Sequence, residues 1–161
     1  MRVPIRLEPL TAEAFRPFGD VIEVAGAPDK IINQGLCGRY HDRATFDFSD
    51  GQAGLSLFKA EPRSLPLKLE MVERHPEGSQ AFIPMSEHPF IVVVAEDHAG
   101  KPGRPKAFRT QIGQAVNYHR GTWHGVLAPL HAPGLFAVVD RIGEGANLEE
   151  HWFDAPFVIE A

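Results

Sequence analysis

Glycine and proline cut the apolar part of this chain into pieces too short for helices. From Gly54 onward, apolar runs at residues 55–60, 67–75, 80–83, 90–95, 106–111, 115–118, 124–128 and 135–141 are separated by breakers such as Pro62, Pro76, Gly78, Pro89, Gly100, Pro105, Gly113, Gly121, Pro129 and Gly134. Many short strands with turn residues between them predict an all-β sandwich or barrel. Upstream, residues 3–7 and 21–24 read as strands. Between them Thr11 is placed to cap one short N-terminal helix over residues 12–16, which Pro17 and Gly19 close. Residues 31–40, IINQGLCGRY, read as a strand running into a loop, and residues 41–52 form a polar connection without a period. The pattern of residues 148–159 leaves two readings open, a terminal strand or a dimer-forming tail.

At 161 residues the chain is sized for one domain over residues 1–161. Sixteen Lys plus Arg against 21 Asp plus Glu give a formal charge of −5, with no basic run, which argues against nucleic acid as the main partner. An anionic small-molecule substrate stays open, because it responds to local arginines rather than to the total. Cys37 is the only cysteine, so no internal disulfide is available, and a reducing compartment is expected. No apolar run approaches the ~20 residues of a membrane span, and MRVPIRLEPL has no signal-type apolar region. A soluble, cytoplasmic protein is the expectation.

Chemistry concentrates in two stretches, LKLEMVERHPEGSQAFIP at 67–84 and NYHRGTWH at 117–124. Along the first, Leu67, Leu69, Met71, Glu73 and His75 alternate with Lys68, Glu70, Val72 and Arg74. An extended strand would therefore carry an apolar row that ends in two ligand-type side chains. The turn Pro76-Glu77-Gly78-Ser79 then returns Gln80 beside His75. In the second stretch Gly121 allows a tight turn that puts His124 at the head of a strand. His75, Gln80 and His124 can thus converge in a barrel mouth, with Glu73 one pleat deeper. Two imidazoles plus oxygen donors suit a borderline divalent ion such as Zn, Ni, Mn or Fe.

These stretches resemble the cupin superfamily, a double-stranded β-helix or jelly roll whose first motif runs His-x-His-x₃₋₄-Glu and whose second runs Pro-x-Gly-x₂-His. Here they become Glu73-x-His75-x₄-Gln80 and His119-x-Gly121-x₂-His124, with the spacing kept and three identities changed. A closer resemblance spans nearly the whole chain. INQGLCGRYHD, ERHPEGSQAFIPM, VNYHRGTWH and VVDR are similar to segments of the ureidoglycolate lyase family, formerly called ureidoglycolate hydrolases. That resemblance implies a cytoplasmic homodimer of cupin fold that cleaves (S)-ureidoglycolate to glyoxylate and urea in allantoin catabolism. A divalent ion, usually given as nickel, is attributed to the family. The ligand set expected here is Glu73, His75, Gln80 and His124, whose departures from the cupin pattern imply a loosely held ion or a site seen without one.

Ureidoglycolate carries a carboxylate, a hydroxyl and a ureido nitrogen on one carbon. Taking the hydroxyl proton while protonating that nitrogen expels urea and leaves an aldehyde, with no redox cofactor. The protein must supply a base, an acid and a clamp for the carboxylate. His75 and His124 are the candidate bases or ligands, Tyr118 a proton donor or relay, and Asp140 a residue to orient a histidine. Asn33 and Gln80 are candidates to read the urea amide. Among arginines, Arg39 is the candidate for the carboxylate, with Arg74 and Arg141 also considered, since a guanidinium binds a carboxylate through two parallel bonds. Trp123 should face away from His124, and Arg74 away from His75. Two other function classes fit the same residues: another metal-dependent cupin enzyme, an oxygenase or isomerase, and a non-catalytic small-molecule-binding cupin.

Overall fold

A computed structural model describes residues 2–161; Met1 lies outside them. In chain order the elements are β1 (Ile5–Pro9), α1 (Ala12–Phe15), β2 (Gly19–Ile22), β3 (Lys30–Ile32), β4 (Cys37–Arg39), β5 (Gln52–Ala60), β6 (Leu67–Arg74), β7 (Gln80–Pro84) and β8 (Phe90–Ala95). They continue with β9 (Asp97–His98), β10 (Lys101–Pro102), β11 (Lys106–Arg109), β12 (Ala115–Tyr118), β13 (Trp123–His124), β14 (Ala128–Pro129), β15 (Gly134–Ile142) and β16 (Glu149–Glu160). The helix is the expected one, and the Thr11 hydroxyl accepts from the Ala14 N–H at 3.2 Å, as an N-cap does.

Two large sheets carry the structure. One runs β11-β1-β16-β6-β13-β8-β14, and because β11 also pairs with β8, its first six strands close into a ring. The other runs β2-β12-β7-β15-β5. This is the closed, nearly all-β architecture of a cupin-type barrel. Two apolar clusters fill it. Ile5, Leu69, Val72, Ile91, Val93, Ala107, Trp123, Phe157 and Ile159 come from the ring strands and pack together. Phe15, Phe82, Phe90, Val92, Val94, Phe108, Val116, Tyr118, Phe136 and Val138 form the second cluster between the sheets. FIVVVA, the unbroken apolar run of β8, is thereby explained: all six residues are buried, and the strand feeds alternate side chains to the two clusters.

Four local expectations change. The apolar row of β6 does not lead straight to Glu73, because Leu69 and Val72, three residues apart, bury in the same cluster. The alternation slips where pairing with β16 shifts register between Trp152 and Phe157, so Glu73 and His75 leave the ring core and turn to the opposite face. Residues 31–40 form a small hairpin of β3 and β4 whose tip holds Asn33, Gln34 and Gly35 at positive φ. The run 124–128 is split into β13 and β14. Finally, the undecided C-terminal stretch is β16, which pairs with β6 and β1.

The polar connection 41–52 crosses the start of β7 as an irregular strap. Phe48 bridges to Gly78, where a Cβ would come within 2.9 Å of both the Phe48 ring and the Arg141 Cβ. Only glycine lets these three segments meet there. Beneath the site, Phe15 is fully buried against Phe18, Phe108 and Tyr118, with ring centroids 6.0–6.1 Å apart. Phe15→Ala should lower stability by about 3–5 kcal/mol in a denaturant titration, from lost burial plus the cavity left under Tyr118.

Candidate metal centre and active site

The strand ends bring together residues that are far apart in sequence. In the ladders, Glu73 of β6 stands opposite His124 of β13, while Gln80 of β7 stands opposite both Tyr118 of β12 and Asp140 of β15. His75 follows β6, and its carbonyl accepts from the Gly121 N–H at 3.0 Å, which ties the β6 end to the turn before β13. The His75 and His124 rings lie 5.1 Å apart between centroids. Tyr118 stacks flat on His124, at 4.3 Å and 3°. One ligand atom each from Glu73, His75 and His124 lies within 4.8 Å of the others.

Hydrogen bonding fixes what these groups offer. His75 Nδ1 is 2.8 Å from the Asn147 carbonyl, and His124 Nδ1 is 2.9 Å from the Gly125 carbonyl. A carbonyl oxygen only accepts, so each Nδ1 carries a proton, and Nε2 is the ring nitrogen left to face the mouth. Gln80 Nε2 donates to Asp140 Oδ2 at 3.1 Å, which leaves its Oε1 as an acceptor. His75 Nε2, His124 Nε2 and Gln80 Oε1 are all buried without a partner. Unpaired buried acceptors are rare and costly, and three in one barrel mouth fit a cation or a ligand rich in N–H and O–H groups. Imidazole nitrogens with carboxylate and amide oxygens are a donor set for a borderline divalent ion.

Electrostatics agree. Burial, reinforced by the neighbouring His75, pushes the His124 imidazole down to about 3, so it is neutral at physiological pH. Burial raises the Glu73 carboxyl above its ordinary value; the nearby His75 opposes this and Glu150 adds to it. Burial and the Glu73 charge push the Tyr118 phenol upward, so it keeps its proton.

Asp140 thus orients Gln80, where the sequence reading assigned it a histidine. Asn33 and Arg39 are exposed on the β3–β4 hairpin, and among the described residues neither hydrogen-bonds to the six residues of the mouth. Arg74 is held by Glu149 and Asp97, and Arg141, buried beside the strap, by Asp50 and the Glu144 carbonyl. The sequence reading missed Asn147, whose carbonyl fixes the His75 ring and whose side chain accepts from the Glu77 N–H at 2.7 Å. No motif marks it; only the path of the loop before β16 brings it there. A groove of about 330 Å³, lined by Met71, Gly125, Val126, Glu150 and Trp152 among others, reaches the cluster at Glu73.

The family model described as ureidoglycolate lyase matches residues 2–160. The chain belongs to the ureidoglycolate lyase family. It is 59% identical over 157 residues to the ureidoglycolate lyase of Rhodobacter capsulatus, covering 97% of this chain and 98% of that protein. It is 51% identical over 160 residues to ureidoglycolate lyase 2 of Rhizobium meliloti, covering 98% of each. Against the ureidoglycolate lyase of Mesorhizobium japonicum it is 52% identical over 157 residues, covering 96% of each. In this chain ERHPEGSQAF is the β6–β7 corner that carries Glu73, His75 and Gln80, and NYHRGTWH is the β12–β13 corner that carries Tyr118 and His124.

The depressed His124 makes a prediction for chelator-treated protein. Between pH 6.5 and about 3 the unfolded chain binds a proton at this residue that the folded chain refuses, so its contribution to stability falls as pH falls. Glu73, raised on folding, acts in the opposite sense above its ordinary value. Melting temperature should therefore drop on acidification below pH 6.5, and the drop should be smaller in His124→Asn, which has no ring to protonate.

Proposed function

We propose that this chain is a ureidoglycolate lyase that cleaves (S)-ureidoglycolate to glyoxylate and urea. The observation that carries the reading is the cluster of buried, unpartnered acceptors His75 Nε2, His124 Nε2 and Gln80 Oε1 beside the Glu73 carboxyl, whose proton affinity burial raises, in a chain of this family. His75, His124 and Gln80 would hold a divalent ion, and nickel is the one we favour, since imidazole and amide oxygen suit it. When bound, such an ion supplies Lewis acidity that makes the substrate hydroxyl easier to deprotonate. Glu73, whose desolvation raises its proton affinity, takes the hydroxyl proton. The C–O electrons collapse to the aldehyde, the C–N bond breaks, and its pair returns to the ureido nitrogen, to which Glu73 gives the proton back. Tyr118 keeps its O–H and donates a hydrogen bond to the reacting group. Asp140 serves as the anchor that keeps the Gln80 oxygen aimed as an acceptor.

We further propose a cytoplasmic homodimer joined through the outer face of the five-stranded sheet. There Leu57, Ala137 and Ile83 line up across three strands, Leu55 stands beside Val139, and Leu55 and Leu57 are 71% and 65% exposed on the edge strand. An apolar face beside a nine-residue edge invites a second copy of itself. The anionic substrate is the only other partner expected. Among the described residues no helix is long and apolar enough to cross a membrane.

Purified protein given each ureidoglycolate enantiomer should release urea and glyoxylate from the S form, without ammonia. Glu73→Gln should lower kcat by roughly 10²–10⁴-fold while still taking up nickel, whereas His124→Ala should lose both turnover and nickel. Ammonia release, or full activity in Glu73→Gln, would refute these roles. By light scattering the wild-type should have dimer mass and Leu57→Asp monomer mass.

A further inference from the structure

β8 holds β13 in register, but between β6 and β13 the backbone fixes His124 against Glu73 and His75 only by one ladder pair and the bond from the Gly121 N–H to the His75 carbonyl. β13 has two residues, and its ladder to β6 is the single pair His124–Glu73. Neighbouring residues of an extended chain point to opposite faces, so Arg74, between Glu73 and His75, and Trp123, before His124, share the reverse side of the same two strands. They touch there. The Arg74 guanidinium carbon stands 4.4 Å from the Trp123 ring centroid. Trp123 Nε1 donates to Asp97 Oδ1 at 2.9 Å, and Arg74 Nη1 donates to the same oxygen at 3.0 Å. Arg74 Nε donates to Glu149 Oε2 at 2.6 Å, which adds β16 to the knot. The Trp123 hydrogen bond foremost, with Arg74 assisting, holds the Asp97 carboxyl below its ordinary value.

We infer that Asp97, by gripping Arg74 and Trp123 through one carboxylate oxygen, is a positioning residue that sets the spacing of His75 and His124 beside Glu73 and thereby the affinity of the site for a divalent ion. The inference rests on the reading above that His75 and His124, with Gln80, hold such an ion. Asp97 touches no ligand itself. It lies where β8 has ended, at the base of the β9–β10 hairpin, and its side chain is 42% exposed, so replacing it leaves no cavity. Its effect must pass through the two strands. Partners that orient ligands from behind typically change metal affinity by roughly 10–100-fold when removed.

The test is the dissociation constant of the full chain for Ni²⁺, and separately for Zn²⁺, by competition with a chromogenic chelator, measured well below the melting temperature. Wild-type, Asp97→Ala, Asp97→Asn and Trp123→Phe are compared, with circular dichroism to show that each is folded. Asp97→Ala should bind roughly tenfold more weakly or worse. Trp123→Phe, which keeps the ring and loses the N–H, should weaken in the same direction. Asp97→Asn, which keeps an acceptor oxygen, should fall between Asp97→Ala and wild-type, and it decides the matter should Asp97→Ala not fold. An unchanged affinity in the folded variants, even with a lowered melting temperature, assigns the network to stability alone and overturns the inference. A wild-type chain that takes up neither ion sinks the metal reading and this inference with it; wild-type and variants binding alike sink this inference only.

Discussion

Strand β8 has no solvent face, and the rest of the structure is arranged around that constraint. A strand apolar on both sides must be covered on both, so the sheet that contains it closes into a ring on one side and receives the five-stranded sheet on the other. Each fully buried valine or isoleucine of β8 contributes roughly 1.5–3 kcal/mol of burial. The same strand sets the site. Ala95 and Val94 pair with Trp123 and His124, so the most buried element holds the imidazole in register and sends the indole to the opposite cluster.

The chemistry follows from dryness. In the mouth between the sheets, no described protein group donates to His75 Nε2, His124 Nε2 or Gln80 Oε1, and a buried acceptor left unpaired costs about 1–3 kcal/mol. Burial also separates the roles: it keeps His124 neutral, leaves Tyr118 protonated and raises the proton affinity of Glu73. The outer faces of the same strands carry Arg74 and Trp123, so one pair of short strands presents a reactive side and a bracing side.

Much of this was legible before any coordinates. Gly and Pro spacing located most strands, and Thr11 marked the one helix. The kept cupin spacing pointed to Glu73, His75, Gln80 and His124; ligand atoms of Glu73, His75 and His124 lie within 4.8 Å of one another, and Gln80 pairs with Tyr118 and Asp140. Legibility failed where a long-range pairing overrides local alternation. Leu69 and Met71 read as one row, yet the shifted ladder to β16 places Leu69 with Val72 instead. The segment that carries Asn33 and Arg39 read as a strand running into a loop, and it is a hairpin of β3 and β4 on which both residues are exposed.

The sequence alone determined the class of fold, the corners that hold chemistry and the residue types at them, because strand period, turn residues and ligand identity are local properties of the chain. Tertiary structure decided which lone pairs are free. The Asn147 and Gly125 carbonyls take the Nδ1 protons, and Asp140 takes the Gln80 amide N–H. Those partners come from loops and strands whose proximity depends on how two sheets close, and closure is a property of the whole core rather than of any segment in it.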